Sequence, residues 1–467
     1  MLSPKESDLN TIALTHSPII SRYRSKTATS ALRYRDAASI FPSGVTHDAR
    51  YVLPHPLYVA RAQGGRKWDV DGNEYVDYQG GHGALILGHR HPQVMDAVAE
   101  QLAKGTHYGA SSELEIRWGE LVKLLIPSAE RVRFTSSGTE ATMMALRLAR
   151  AHTGLTKLIR FRGHFHGWND HMAFGYTDHF DGTPSAGVVP ALAEEVLLAD
   201  PNDIDGVRAL LEQRDDIAAM IIEPTGSTFG QVPVAPSFLK ALRDMTRERR
   251  IVLIFDEVVS GFRVAPGGAQ AHFGVTPDLT TLAKILAGGL PGGAVVGRRD
   301  ILDILDHERA SAAGRERIQH PGTFNANPLS AAAGCATLEI IMDTDACARA
   351  SDYAERLRNA LNVVFAEERV AWAAYGTFSG FHLFTNPGHI DIDPLTFDPS
   401  RYDYSVLKSK KGSALATKLR LAMRINGVDL SGWPGGPTSA VHDDRDFEQT
   451  VDAARQSVRL LRQEGEL

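Results

Sequence analysis

Short apolar runs recur through the middle of the chain: Val132–Thr135, Lys157–Phe161, Ala218–Glu223, Ile251–Asp256 and Ala294–Val296. Helix-patterned stretches fall between most of them, and this rhythm constrains the fold more than any other feature. A run such as IVLIF (251–255) has no polar face, so it reads as a strand covered on both sides. Strands of that kind alternating with helices predict an α/β fold with a mostly parallel central sheet flanked by helices. Open sheets of this class keep their ligands at the carboxyl ends of the strands. Two of the runs end there in an acid, Glu223 and Asp256.

The flanks read differently. Residues 1 to about 30 are polar and predict an arm or a first helix. Tyr58 to Tyr78 reads as a hairpin, with turn signals at Gly64-Gly65 and Asp71-Gly72. Pro92 opens a helix that Gly105 ends, and Glu113–Leu125 is amphipathic. After Pro328 a helix over Leu329–Ile341 and another over Asp352–Val364 are expected. A β-like segment (375–384), a polar insertion (386–411) and the last helices follow. At 467 residues there is room for two domains. The division expected is an N-terminal arm and part of a small domain (1–90), a large domain (91–330) and a C-terminal small α+β domain (331–467).

A formal net charge of -6 argues against a nucleic-acid binder. No apolar run is long enough to span a bilayer, and MLSPKESDLN lacks a secretory profile. Two cysteines, Cys335 and Cys347, can build neither a disulfide framework nor a zinc cluster, which makes a reducing cytoplasm the default expectation.

The chemistry centres on Asp256 and Lys284. Lys284 lies in an otherwise apolar, glycine-rich stretch, TLAKILAGGLPGG (281–293). A lysine without water sheds its proton readily and can form a Schiff base with an aldehyde. With Asp256 facing a pyridinium nitrogen, the pair points to pyridoxal phosphate. Taken singly, such residues are more often a solvated lysine and a capping aspartate. The surrounding motifs add weight. SSGTEATMMALRLAR (136–150) follows a strand and opens a helix, so Ser137, Gly138 and Thr139 can cradle a phosphate; a plain N-cap is the alternative. In FRGHFHGW (161–168), Phe165 can cover a planar cofactor, with His166 and Gly167 completing the turn. A metal site on His164, His166, His171 and His179 lacks a recognisable zinc spacing, so no metal is expected. Glu223 can cap a loop or contact the cofactor ring. Thr323 in HPGTFNANP can meet an anion or cap the next helix, and Arg50 in GVTHDAR can pair with a carboxylate or sit on the surface.

In the order SSGTEA, FHG, IIEP, FDEVVSGFR, LAKILAGGLPGG, GTFNANP, these motifs resemble the class III pyridoxal-phosphate-dependent aminotransferases of fold type I, from about Phe41 to the C-terminus. The resemblance implies that Lys284 carries the cofactor, Asp256 pairs with its ring nitrogen and Glu223 lies near the ring hydroxyl. Phe165 and Val258 cover the two ring faces. Ser137, Gly138 and Thr139 bind the phosphate, and Thr323 reaches the phosphate of a neighbouring subunit in a homodimer. It also implies amino-acid and keto-acid substrates and ping-pong kinetics. Within the class, GVTHDAR resembles the glutamate-1-semialdehyde 2,1-aminomutase branch, in which an arginine, here Arg50, holds the substrate carboxylate. That branch carries a Phe-Glu-Ala-Gly segment near its C-terminus, whereas this chain has WPGG (433–436), with Pro434 in place of the acid. GGHGALILGH, HFDGTPSAGVVP and YGTFSGFHL resemble D-phenylglycine aminotransferase instead. The reading preferred from the sequence is therefore transfer between an amino acid (aryl, D- or β-) and a keto acid such as 2-oxoglutarate, with aminomutation as the alternative.

Overall fold

The computed structural model describes residues 17–467, and all counts below refer to these residues. In chain order the strands are β1 (Val59–Gln63), β2 (Arg66–Asp69), β3 (Glu74–Asp77), β4 (Arg131–Thr135), β5 (Lys157–Phe161), β6 (Val196–Ala199), β7 (Ile217–Ile222), β8 (Val232–Pro233), β9 (Val252–Asp256), β10 (Leu279–Ala283), β11 (Gly293–Gly297), β12 (Ala373–Tyr375), β13 (Gly380–Phe384), β14 (Val428–Asp429) and β15 (Gly435–Pro437). A seven-stranded sheet runs β4-β11-β10-β9-β7-β5-β6. Strands β10, β9, β7, β5 and β6 are mutually parallel, and only β11 runs against its neighbours. The mostly parallel α/β architecture expected from the apolar rhythm is therefore present.

The lack of a polar face in the 251–255 run has a direct cause. Alternate residues of β9 point to opposite layers: Val252 and Ile254 pack with Met144 and Leu148, while Leu253 and Phe255 pack with Phe238 and Leu242. All four β9 residues are within 2% of full burial. Each such side chain contributes about 1.5–3 kcal/mol relative to an exposed one. Strands β6 and β10 are not evident in the sequence. β10 carries Thr280 and Thr281, whose hydroxyls are buried on Ser128 and on Asp256 respectively, so polarity hides a fully buried strand.

The hairpin read over 58–78 is β1-β2-β3, and β14 from the far end of the chain adds to β3 in parallel. A buried ion cluster joins them. Lys67 Nζ lies 2.7 Å from Asp77 and 2.6 Å from Asp429, Arg424 lies 2.6 Å from Asp429, and His89 lies 2.7 Å from Asp77. Burial alone would raise the Asp77 carboxyl, but Lys67 and His89 hold it well below the usual carboxylate range. The segment 375–384 is not one strand: a turn separates β12 from β13. The first residues expected as an arm or helix lie partly outside the described region, and Pro18–Lys26 is helical. The stretch 386–411 is polar in composition but not loosely attached, since Ile390, Ile392, Phe397 and Leu407 pack with Tyr375 and Phe384. Among the described residues, no helix is long and apolar enough to cross a membrane.

Lys67→Met leaves two buried carboxylates short of a cation, and the expected cost is about 3–5 kcal/mol, read from denaturant unfolding. A loss under about 1 kcal/mol would show that water, not Lys67, solvates them.

Candidate active site

Because β4, β10, β9, β7 and β5 share one direction, their carboxyl ends form one edge of the sheet. The residues that follow them are Ser137 after β4, Lys284 after β10, Glu223 after β7 and the His164–Gly167 turn after β5; Asp256 is itself the last residue of β9. Motifs far apart in sequence thus converge for one topological reason.

Asp256 is 5% exposed. Its Oδ2 lies 2.7 Å from His166 Nδ1, and its Oδ1 accepts from the Val258 N–H and the Thr281 hydroxyl, both at 3.1 Å. Burial pushes its carboxyl up to about 6, against the pull of Val258, Lys284 and Thr281. His166 is held well below its ordinary value by burial and by Arg160, so it meets Asp256 as a neutral ring that donates from Nδ1. Asp256 therefore lacks a cationic partner of its own. The adjacent Glu257 differs: Ser260, the N–H groups of Ala269 and Gln270, and the Gln270 amide fill its acceptor positions, as in a structural acid.

Glu223 Oε1 accepts from the N–H groups of Phe165 (2.7 Å) and Thr228 (3.3 Å), while its own N–H donates to His164 Nδ1 (3.1 Å). Burial raises its carboxyl, and the Asp256 charge adds to the rise. Lys284 has φ 54, a left-handed conformation that turns the chain sharply away from β10. Burial lowers its ammonium, opposed by Asp256 and Glu223. Among the described residues, no salt bridge engages it.

Ser137 caps the helix Gly138–Thr153, its side chain accepting from the Glu140 N–H. A Cβ at Gly138 would lie 2.9 Å from Val258 and 3.4 Å from Ala283, so the helix start is wedged beside Val258 and the end of β10. Gly167, with φ +86, lies against Thr139, which only glycine permits at this distance. Phe165 is 45% exposed at the same edge, its ring 4.9 Å from that of Tyr176.

Two residues singled out in the sequence stand apart from this group. Arg50 is exposed and donates to Thr46 Oγ1 at 2.9 Å. Its loop reaches the site through His47, which stacks on His82 at 4.7 Å. Burial and the nearby His47, Arg50 and Lys284 push His82 down to about 4. Thr323 is exposed, and its carbonyl accepts from His107 Nε2 at 2.6 Å. It does not meet the other residues within one chain. The four histidines weighed as metal ligands disperse: His171 bonds Arg150 and His179 bonds Thr183, while His164 and His166 serve the two acids.

These features fit pyridoxal phosphate. A buried carboxylate without a cation suits a protonated pyridine nitrogen, a capped helix start suits a phosphate, and a lysine whose ammonium is disfavoured by burial suits an aldehyde. The profile of the family "Aminotransferase class-III" matches residues 48–388. The chain belongs to the class III aminotransferases. A glutamate-1-semialdehyde 2,1-aminomutase of Methanosarcina acetivorans is 38% identical over 90% of this chain and 96% of the relative. An omega-transaminase structure from Sphaerobacter thermophilus is 34% identical with a TM-score of 0.83, over 93% of this chain and 98% of that one. A structure described as a transaminase with PLP bound is 30% identical with a TM-score of 0.82, over 94% and 99%. The class III fold, with its mostly parallel sheet flanked by helices, is therefore shared over more than nine-tenths of the chain.

Some residues at this edge gave no sign of themselves in the sequence. Arg160 is fully buried on β5 and donates to the carbonyls of Met172 and His164. Tyr176 sits beside Phe165, with its hydroxyl facing Thr228 and Trp433. Lys408 is also buried, although SVLKSKKG (405–412) reads as a solvated basic run.

The raised Asp256 carboxyl has a consequence for the cofactor-free protein. Its folded value, about 6, exceeds the ordinary 3.8, so the folded state binds the extra proton between them. The stability this group contributes is present below the lower value and lost as pH rises through the upper one. Asp256→Asn is therefore expected to gain on the parent between about pH 4 and about pH 7, by up to about 3 kcal/mol. Denaturant unfolding at both pH values measures it, and a difference independent of pH would contradict it.

Proposed function

We propose that this chain moves an amino group with pyridoxal phosphate held at Lys284. The observation that carries the reading is the convergence of Lys284, Asp256 and Glu223 on one sheet edge, beside a capped helix start. Pyridoxal phosphate, when bound, supplies an aldehyde carbon and a ring that withdraws electrons from the neighbouring C–H bond. The chain supplies the rest. Asp256 accepts the ring N–H and keeps it protonated, and His166 and Thr281 fix that carboxylate. Ser137, Gly138 and Thr139 receive the phosphate at the helix N-terminus. Phe165 and Val258 would flank the ring, and Glu223 would lie toward its hydroxyl side. Lys284 would hold the cofactor through its amine, and the same amine would serve as general base for the proton on the substrate carbon. Arg50 holds a substrate carboxylate at the mouth.

Four relatives named glutamate-1-semialdehyde 2,1-aminomutase, 36–42% identical to this chain, favour aminomutation over the intermolecular transfer preferred from the sequence. One observation favours a second reading, transamination to a keto acid. Pro434 stands in place of the acid that the aminomutase branch carries, and its carbonyl accepts from the Leu383 N–H at 2.8 Å. The next residues are locked: a Cβ at Gly435 or Gly436 would lie 2.2 Å from the Phe381 carbonyl or 2.0 Å from the Tyr78 carbonyl. Tyr176 meets Phe165 through its ring and Trp433 through its hydroxyl, a lining suited to an aryl side chain.

A homodimer is part of the same reading. Thr323 borders a surface groove of about 570 Å³ lined by Ile116, Arg133, Phe134, His320 and Gly322, and Phe324 nearby is 60% exposed. A second copy seated there would receive Thr323 beside its own phosphate site. Light scattering is expected to give twice the chain mass.

Lys284→Ala is expected to abolish turnover, and borohydride treatment of the yellow parent protein is expected to leave a pyridoxyl adduct on Lys284. Full activity in that variant would overturn the assignment. Stoichiometry separates the two readings. A transaminase consumes one keto acid for each product formed, whereas an aminomutase isomerises glutamate-1-semialdehyde with no net acceptor.

A further inference from the structure

One charged side chain of the segment 386–411 reaches the interior. Lys408 is 5% exposed, and its Nζ donates to the Gly163 carbonyl (2.8 Å), the Ser227 hydroxyl (3.0 Å) and the Thr228 hydroxyl (3.1 Å). It also lies 4.0 Å from the centre of the Tyr176 ring, a favourable place for a desolvated cation. These acceptors belong to the two loops that flank Glu223. Gly163 precedes the turn whose Phe165 N–H donates to Glu223. Thr228 donates its own N–H to Glu223 while its hydroxyl accepts from Lys408. Ser227 closes the link between the loops by donating to the Gly163 carbonyl.

The second loop is not one the backbone would adopt unaided. Thr228 and Phe229 have φ 51 and φ 57, a left-handed conformation that costs non-glycine residues free energy. The approach of Lys408 is close: a Cβ on Gly163 would lie 3.6 Å from its Cδ. Among the described residues, Lys408 has no carboxylate within salt-bridge distance, so its charge acts on Glu223 across Thr228.

We propose that Lys408 is a positioning residue of the active site: its ammonium locks the loops that carry Phe165 and Glu223, and its charge keeps the Glu223 carboxylate ionised toward the cofactor ring. The second half of this rests on the pyridoxal phosphate reading. Burial raises Glu223 and lowers Lys408, and each opposes the other's shift, as expected for two opposite charges that hold one another ionised. Asp256, Arg160, His164, Tyr176, His382 and Lys284 also face the pair. Asp256 works against Glu223, and Arg160 works against Lys408.

The test is a double-mutant cycle read on the visible absorption of the holoenzyme as a function of pH. Lys408→Met is expected to move the midpoint of that titration by about one pH unit, the size of shift a neighbouring charge produces. In a Glu223→Gln background the same substitution is expected to move it far less. Equal shifts in the two backgrounds, or none in the first, would overturn the proposal. Should Lys408→Met fail to fold, Thr228→Val removes only the hydroxyl between the two charges. It is expected to move the midpoint in the same direction by a smaller amount, and an unmoved midpoint counts against the proposal. Limited proteolysis of the cofactor-free protein reads the locking role alone. Lys408→Met is expected to open cleavage within 386–411 and 225–231, and an unchanged pattern would refute it. A protein that takes up no pyridoxal phosphate and shows no visible band refutes the functional reading instead, leaving proteolysis to judge the lock.

Discussion

Two carboxylates, Asp256 and Glu223, lie buried at the ends of adjacent parallel strands, where burial raises both and the Asp256 charge raises Glu223 further. That repulsion is the constraint around which the site is arranged. Isolated charges in such a place would neutralise. The surroundings counter this with hydrogen bonds from the Val258, Phe165 and Thr228 N–H groups, a neutral His166, and cations held at a distance on Lys284, Arg160 and Lys408. None of these cations forms a direct salt bridge to either acid, which leaves room for a ligand to bring the missing charge.

The elements that satisfy these acids come from unrelated parts of the fold. The β5 and β7 loops hold Glu223, the start of the 138–153 helix packs on Val258, and the 386–411 segment reaches in with Lys408. The sheet topology makes this possible: strands sharing one direction deliver their carboxyl ends to one edge whatever their order in the sequence. The single reversed strand, β11, fits the same edge with its first residue, since a Cβ on Gly293 would lie 2.4 Å from the Ser137 carbonyl. Its glycine lets the Ser137 backbone pass.

Much of this was legible from the residues. Continuous apolar runs announce strands buried on both faces, and an acid at the end of such a run is conspicuous, so Asp256 and Glu223 could be picked out. Lys284 stood out against glycine and apolar neighbours. Strand β10 escaped because Thr280 and Thr281 spend their polarity on interior partners, a pairing that only the fold reveals. Lys408 escaped for the opposite reason. It sits in a basic, polar stretch whose composition describes its neighbours, and burial of one lysine among several depends on what the rest of the chain places around it. Arg50 and Thr323 were legible as residues but not as members of one cluster, because one reaches the site only through a histidine stack and the other faces outward.

The pairing of β14 with β3 has a consequence for biosynthesis. Strand β3 emerges from the ribosome early, while its parallel neighbour belongs to the last stretch of the chain. Until synthesis is nearly complete, the hairpin exposes an unpaired edge, and Asp77 lacks the shared lysine cluster that Asp429 completes. The N-terminal sheet thus closes late although its first strands are made early. A nascent chain stalled short of residue 428 would present that edge to chaperones and to other nascent chains.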